Sequence, residues 1–168
     1  MNVLPLLDPQ LDLRLIKQVS APRSLIWRAW TEPELLMQWF CPLPWRTVSC
    51  EIDLRVGGAF KTVMRSPQGQ EHPNVGCYLE VHDGHRLVWT NSLLPGWRPN
   101  TFSEVEAQNG AFSFTATIDL SDHEGGTSYV ATVQHASSSA CLQHQSMGFE
   151  KGWSMALEQM LQMIERGI

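Results

Sequence analysis

Two histidines at hairpin spacing are the first candidates for chemistry in this sequence. His82 and His85 flank the dipeptide Asp83-Gly84. Imidazoles this close could share a metal ion, but structural zinc takes four protein ligands and catalytic zinc usually three. No third or fourth ligand is evident nearby, so we predict no metal site and interpret both residues as surface histidines beside a turn.

A cysteine and a histidine one helical turn apart form a second candidate. Cys141 and His144 lie near the start of the last predicted helix, where the helix dipole favours a thiolate. Nucleophilic catalysis also needs a third group that orients the base, and none is identifiable. Phosphate-binding glycine motifs are absent as well, since Gly57-Gly58 is a connection between strands. We therefore predict no catalytic residue and no cofactor.

His135 and Glu80 are the remaining ionisable candidates. By parity with Tyr129 and Val133 along one strand, His135 faces the predicted interior, where a single polar group often orients a ligand. The alternative is a hydrogen-bonded histidine at the end of the strand. Glu80 is ambiguous: facing inward it needs a partner such as Arg86 or a raised pKa, and facing outward it is ordinary surface.

The elements that must position these residues are mostly strands. Between residues 46 and 135 the hydrophobic pattern repeats every second residue, as in antiparallel strands. Asp83-Gly84 is the strongest hairpin signal, because both central residues of such a turn need positive φ. The predicted strands are 11–19, 46–53, 58–65, 75–82, 85–93, 111–121 and 127–135.

Helices are predicted on both sides of these strands. Two short helices follow the first strand, with Ser20 as a cap of the first, and with Thr31 and Glu34 as a capping box for the second. Residues 138–166 form the longest predicted helix, and the Pro- and Gly-rich stretch 94–110 is a predicted mobile loop. The apolar face of the long helix comprises Phe149, Trp153, Ala156, Leu157, Met160, Leu161 and Ile164.

Composition places the chain among ordinary globular proteins. The chain has 168 residues, 43% hydrophobic and 17% charged, which suits one α+β domain at residues 11–168 after a flexible leader at 1–10. No apolar run approaches the ~20 residues that span a bilayer. The net charge of −5 disfavours nucleic acid and anionic membranes as partners. Four cysteines without CxxC spacing favour a cytoplasmic location.

Five segments together carry a family resemblance. They are Ala21-Pro-Arg, Trp27-Arg-Ala-Trp-Thr-Glu-Pro-Glu, Trp39-Phe40, Asp53-Leu-Arg-Val-Gly-Gly-Ala-Phe60, and Met147-Gly-Phe with Gly152-Trp153. In this order they resemble the domain shared by homologues of the activator of the heat-shock-protein-90 ATPase, in the START-like superfamily, over about residues 11–166. The resemblance implies a helix-grip fold, in which a curved sheet of about six to seven strands wraps around the long C-terminal helix.

The resemblance also implies where a ligand would bind. In this fold the gap between helix and sheet is the usual ligand site, and Trp97 in the 94–110 loop could close one end of it. Aromatic and Met side chains that face a sheet are core material first, and Trp97, a large apolar residue in a Pro- and Gly-rich loop, is the exception. The predicted ligand-binding residues are Trp39, Phe40, Phe60, Met64, Trp89, Trp97, Phe114, Tyr129, Val133, His135, Met147 and Trp153.

Three functions remain open on this evidence. The first is a binding module for a small apolar or amphipathic ligand, which predicts an enclosed cavity of about 300–1,000 Å³. The second is a protein-interaction module, such as a chaperone cofactor or a homodimer. The third is a cyclase- or hydrolase-type enzyme acting on an apolar ring, which needs two convergent ionisable groups; only His135 and Glu80 are candidates.

Overall fold

A seven-stranded antiparallel sheet carries the structure. The computed structural model describes residue 4 and residues 6–168. In this part of the chain the elements are β1 (Asp12–Val19), α1 (Arg23–Thr31), α2 (Pro33–Leu36), β2 (Arg46–Ile52), β3 (Ala59–Arg65), β4 (Glu71–His82), β5 (Arg86–Thr90), β6 (Leu93–Leu94), β7 (Arg98–Pro99), α3 (Glu104–Gln108), β8 (Phe114–His123), β9 (Gly126–His135), α4 (Ser138–Ser146) and α5 (Phe149–Arg166). The large sheet has the order β1-β9-β8-β5-β4-β3-β2, which confirms the predicted α+β class.

The predicted strands are confirmed, and the clearest difference is at the start of β4. This strand begins at Glu71, four residues before the predicted boundary, although it contains Pro73. Proline lacks the amide that a central strand needs. Here Pro73 pairs only with Val63 of β3, because β5 reaches no further along β4 than Cys77. That half of β4 is a sheet edge, where proline is tolerated.

The predicted caps of the first two helices are wrong. The N-cap residues are Pro22 and Glu32, and neither makes a side-chain cap hydrogen bond. Helix α1 continues through Thr31, whose hydroxyl donates to the Trp27 carbonyl at 2.8 Å. A threonine in the last turn of a helix can donate its hydroxyl to the carbonyl four residues earlier. Thr31 does this within α1 and therefore does not cap α2.

The 94–110 stretch is more ordered than the loop predicted for it. Strands β6 and β7 form a two-stranded hairpin, and α3 follows. Ser103 and Glu106 make a complete capping box: the Glu106 amide donates to Ser103 Oγ at 3.2 Å, and the Ser103 amide donates to Glu106 Oε2 at 2.7 Å. The Ser-x-x-Glu spacing is visible in the sequence and is the signal that should have predicted this helix.

The C-terminal helix is divided into two. Helix α4 ends at Ser146 and α5 begins at Phe149, with Gly148 between them at φ +90°. An L-residue is strained at such a φ, so glycine permits the break. The apolar face predicted for the long helix is confirmed in α5, where Phe149, Leu157 and Met160 are buried in the core.

The Gln159 side chain of α5 hydrogen-bonds to the segment that follows α2. The Gln159 amide donates to the carbonyls of Trp39 at 3.1 Å and Cys41 at 2.9 Å, and its oxygen accepts from the Leu43 amide at 2.9 Å. One side chain therefore satisfies three backbone groups that belong to no regular element.

The N-terminal leader, predicted as flexible over residues 1–10, lies partly outside the described residues. In the described part, the Asp8 carbonyl accepts from the amides of Leu11 and Asp12, at 3.1 and 2.8 Å. The Asp8 carboxylate accepts from the Gln10 amide at 2.9 Å. These bonds form a turn that leads directly into β1.

Candidate functional site

The predicted ligand-binding side chains fall into three groups by burial. Two are exposed: Trp97 is 49% exposed and Met147 66%. Four are partly buried, namely Phe40, Met64, Phe114 and Trp153. Six are buried, namely Trp39, Phe60, Trp89, Tyr129, Val133 and His135. The structure thus brings most of the set into the interior between sheet and helices, and leaves Met147 on the surface at the break between α4 and α5.

An aromatic cluster, which we call the ring cluster, occupies the interior below α1 and α2. It consists of Trp30, Trp39, Phe40, Phe60, Tyr78 and Trp89. Phe40 and Trp89 each contact both Trp30 and Phe60, with ring centroids 5.2–5.8 Å apart. Most of the contacts are edge-to-face, the arrangement that aromatic quadrupoles favour. The half-buried Phe40 is the member nearest to solvent.

Two members of the ring cluster were not among the predicted ligand-binding residues. Trp30 is 2% exposed and Tyr78 is fully buried. Among the described residues, neither Trp30 Nε1 nor the Tyr78 hydroxyl has a hydrogen-bond partner of normal geometry, and an unsatisfied buried atom costs about 1–3 kcal/mol relative to a satisfied one. Burial raises the pKa of Tyr78, as would ionisation of the nearby Cys50. The phenol is therefore neutral and available as a donor.

Trp30 also lies near Tyr129. Burial raises the pKa of the Tyr129 hydroxyl, and a hydrogen bond from the Trp30 indole opposes that rise. No hydrogen bond of normal geometry joins Trp30 Nε1 to any described atom. The Tyr129 hydroxyl is therefore the acceptor that Trp30 Nε1–H faces, in a contact outside normal hydrogen-bond geometry.

Trp97 lies on the hairpin of β6 and β7, against the turn between β2 and β3. A Cβ at Gly57 would lie only 3.0 Å from the Trp97 indole, so the ring packs on the glycine backbone. The Gly96 amide donates to the Gly57 carbonyl at 2.9 Å. Trp97 itself has φ +72°, an unfavourable conformation for a large side chain.

His135 and His144 form a hydrogen-bonded pair between the end of β9 and α4. His135 Nδ1 lies 2.8 Å from the Leu11 carbonyl, which can only accept, so this nitrogen carries the proton. His135 Nε2 then accepts from Nδ1–H of His144 at 2.9 Å. Burial, and secondarily the charge of a protonated His135, lower the pKa of His144 to about 4.

This low pKa predicts a pH dependence of stability. The unfolded chain binds a proton at His144 near its ordinary pKa of about 6.5, whereas the folded chain resists protonation down to about 4. The free energy of unfolding should therefore fall by about 1–3 kcal/mol as the pH drops through this interval. His144→Gln, which cannot titrate, should flatten urea-unfolding free energies measured between about pH 7 and about pH 5. The control His123→Gln alters an exposed histidine and should keep the wild-type slope; equal slopes in all three proteins would contradict the prediction.

The histidines at the β4–β5 turn are engaged by other side chains. His85 Nε2 lies 3.0 Å from Arg23 Nη1 and accepts from it, and the same Arg23 nitrogen donates to the Gly84 carbonyl at 2.9 Å. His82 lies 3.3 Å from Glu80. No group of three potential metal ligands occurs among residue 4 and residues 6–168.

Glu80 and His135 are not brought into one site. The Glu80 side chain is 44% exposed and accepts from Arg86 Nε at 2.9 Å. Arg86 also bonds Asp119 at 2.6 Å, so the three charges form a network at the sheet surface. His135 uses both ring nitrogens at the far end of β9.

Cys141 and Cys50 are not activated. Cys141 is buried, and that burial raises its thiol pKa, as do the negative charges of Asp12 and Asp8. Burial therefore outweighs the favourable effect of the helix start on a thiolate at Cys141. Burial, with a smaller effect of Glu34, raises the pKa of the Cys50 thiol to about 11.

Two surface grooves accompany this interior. One, of about 790 Å³, lies where α1 meets the turns after β4 and β8, and is lined by Arg23, Trp27 and Asp122 among others. The other, of about 650 Å³, lies beside Arg14 and Phe149 at the start of α5. Neither is lined by a predicted ligand-binding residue, and neither is the enclosed cavity that the sequence led us to expect.

A curved antiparallel sheet with two short helices after its first strand and a long C-terminal helix is a START-like, helix-grip domain. Residues 20–165 match the model of the family described as Activator of Hsp90 ATPase homolog 1-like protein. The chain belongs to this family. None of the helices in the described part of the chain has the length and hydrophobicity needed to cross a membrane.

Several solved structures share this architecture. A protein from Nitrosomonas europaea is 39% identical, with 95% of this chain and 97% of that chain covered and a TM-score of 0.87. One from Chromobacterium violaceum is 25% identical, covering 92% and 96%, with a TM-score of 0.70. An AHSA1-like protein from Aeromonas hydrophila, 18% identical over 92% of both chains at a TM-score of 0.67, shares the fold. No curated protein matches the chain.

Proposed function

We propose that this protein binds a small apolar or amphipathic molecule in the interior between the sheet and its helices, acting as a binding module rather than as an enzyme. The observation that carries the proposal is the ring cluster: six contacting aromatic side chains, reached from the surface at the half-buried Phe40. Pockets for small ligands are lined in this way by apolar and aromatic groups. The molecule would enter by displacing the Phe40 ring.

Native mass spectrometry of freshly purified protein tests this function. The expected result is a fraction of the protein carrying a reproducible added mass, which denaturation releases as an apolar compound. Addition of neutral aromatic compounds to stripped protein should restore an adduct and raise the melting temperature. Protein that is empty after purification, and that binds no neutral apolar compound, would contradict the proposal.

A second function, protein interaction, has one observation in its favour. Leu54, Val56 and Trp97 are 38%, 51% and 49% exposed, and they lie on the β2–β3 turn and the hairpin packed against it. Exposed apolar groups placed together are typical of contact surfaces. A heat-shock-protein-90 pull-down comparing wild type with Trp97→Ser would test it; retention of the chaperone by wild type alone is the expected result if this surface is used.

We propose the cytoplasm as the working location and residues 11–168 as the functional unit. All four cysteines are free, which suits a reducing compartment.

A further inference from the structure

We propose that residues 40–44, which we call the gate, open as a unit to admit the ligand, and that Gln159 of α5 keeps this gate closed. The inference rests on the proposed function, because the ligand would enter where Phe40 of the gate now lies. It adds to that function the step that controls entry. The binding site would then be cryptic, formed only while the gate is open.

Side chains from two other elements hold the gate in place. The Gln159 amide of α5 donates to the carbonyls of Trp39 at 3.1 Å and Cys41 at 2.9 Å. The hydroxyl of Thr47, on β2, donates to the Phe40 carbonyl between them. These three successive carbonyls are thus bonded to side chains of α5 and β2, outside the hydrogen-bond ladders of strands and helices. Segments held in this way open locally at a lower free-energy cost than regular elements do.

Anchored tryptophans bound the gate on both sides. Trp39 is buried, and its Nε1 donates to the Ala29 carbonyl of α1 at 3.0 Å. Trp45 lies against His72 of β4, with ring centroids 5.2 Å apart. Because both flanks are fixed, the movement is confined to residues 40–44.

The backbone of the closed gate is strained at Cys41. This residue has φ +118°, a value that residues with a Cβ rarely adopt. Its carbonyl is one of the two that Gln159 binds. Loss of that bond would let Cys41 relax into an ordinary conformation. The strain therefore favours opening, and the Gln159 hydrogen bonds oppose it.

The Phe40 ring lies between solvent and the rest of the ring cluster. It contacts Trp30, Trp39 and Phe60, with ring centroids 5.8, 5.6 and 5.7 Å away. Those three side chains are buried, whereas Phe40 is half-buried. Outward movement of Phe40 would uncover aromatic surface and leave a space of about one ring. A flat apolar molecule could take that space and restore the lost edge-to-face contacts.

Opening before binding reverses the usual effect of a destabilising substitution. When only the open form binds, the apparent dissociation constant is the intrinsic one divided by the open fraction. Gln159→Leu removes hydrogen bonds that exist only in the closed gate, so it raises the open fraction and should tighten binding. If Gln159 merely supported the site, its replacement would weaken binding instead.

Stopped-flow fluorescence with the neutral naphthyl ketone prodan measures this effect. Gln159→Leu should associate with prodan about ten-fold faster than wild type, dissociate at the same rate, and so bind about ten-fold more tightly. Thr47→Val removes the hydroxyl bonded to the Phe40 carbonyl and should shift association in the same direction, which keeps the test valid if Gln159→Leu does not fold. Gln162→Leu, on the exposed side of the same helix, should match wild type.

Thiol labelling detects the gate without a ligand. Burial raises the pKa of the Cys41 thiol in the closed gate, so opening should make this thiol more reactive. Iodoacetamide labelling of Cys41, mapped by mass spectrometry, should be about ten-fold faster in Gln159→Leu than in wild type. The buried Cys77 and Cys141 report global unfolding and should label more slowly than Cys41 in both proteins.

The two measurements separate the gate from the proposed function. Prodan binding that is equal or weaker in Gln159→Leu and Thr47→Val would overturn the gate and leave the proposed function standing. Absence of prodan binding in every variant and in wild type would overturn the proposed function. Cys41 labelling would then still decide the gate, which an unchanged labelling rate in Gln159→Leu would overturn.

Discussion

Gly126→Ala is expected to lower the free energy of unfolding by about 3 kcal/mol or more, because a backbone carbonyl occupies the space of the new methyl group. A Cβ at this position would lie 1.9 Å from the Val19 carbonyl oxygen and 2.8 Å from Ser20 Cα. Both contacts are with backbone, which cannot rotate away as a side chain can. Relief requires the end of β1 to separate from the start of β9.

The neighbouring glycine provides the control. Gly125 has φ +80°, and no atom lies within 4 Å of the place that a methyl group would take there. Gly125→Ala should therefore cost only the left-handed backbone strain, about 1–2 kcal/mol. Urea unfolding of wild type and both variants measures the difference. If the two substitutions cost the same, close approach of the backbone at Gly126 is not what requires glycine there.

Gln159→Leu is expected to cost roughly 2–4 kcal/mol, because three backbone groups lose their partner at once. The two carbonyls and one amide that Gln159 satisfies belong to the segment that leaves α2 and carries Phe40. A leucine of similar volume preserves packing and removes only the hydrogen bonds. Thermal and urea unfolding would measure the loss.

Two further variants make this prediction specific. Gln159→Glu keeps an acceptor for the Leu43 amide but places a carboxylate against two carbonyl oxygens. It should be at least as unstable as Gln159→Leu near neutral pH and recover part of the loss below about pH 5, where a protonated carboxyl can donate. Gln162→Leu changes an exposed glutamine of the same helix and should stay within about 0.5 kcal/mol of wild type. A loss in Gln162→Leu equal to that in Gln159→Leu would contradict the role of the three bonds.

Much of this protein was predictable from local sequence patterns, because strands and helices repeat with different periods. The alternation of apolar residues predicted the seven strands of the main sheet, and the apolar face of residues 149–164 predicted the helix that packs on it. Asp83-Gly84 predicted the β4–β5 hairpin, since the turn depends on two adjacent residues alone. The order of the family motifs predicted the fold, because they extend over nearly the whole chain.

Features that depend on contacts between distant residues needed the tertiary structure. The break at Gly148 was missed because glycine inside an apolar pattern does not reveal whether its φ is positive. The unpaired hydroxyl of Tyr78 could not be foreseen, since its lack of a partner depends on neighbours from other strands and helices. The same holds for His135, whose ring nitrogens meet Leu11 and His144 only when β9, β1 and α4 come together. Periodicity determines which side of an element is buried; which atoms meet there, and which remain unsatisfied, is decided by packing between elements far apart in the chain.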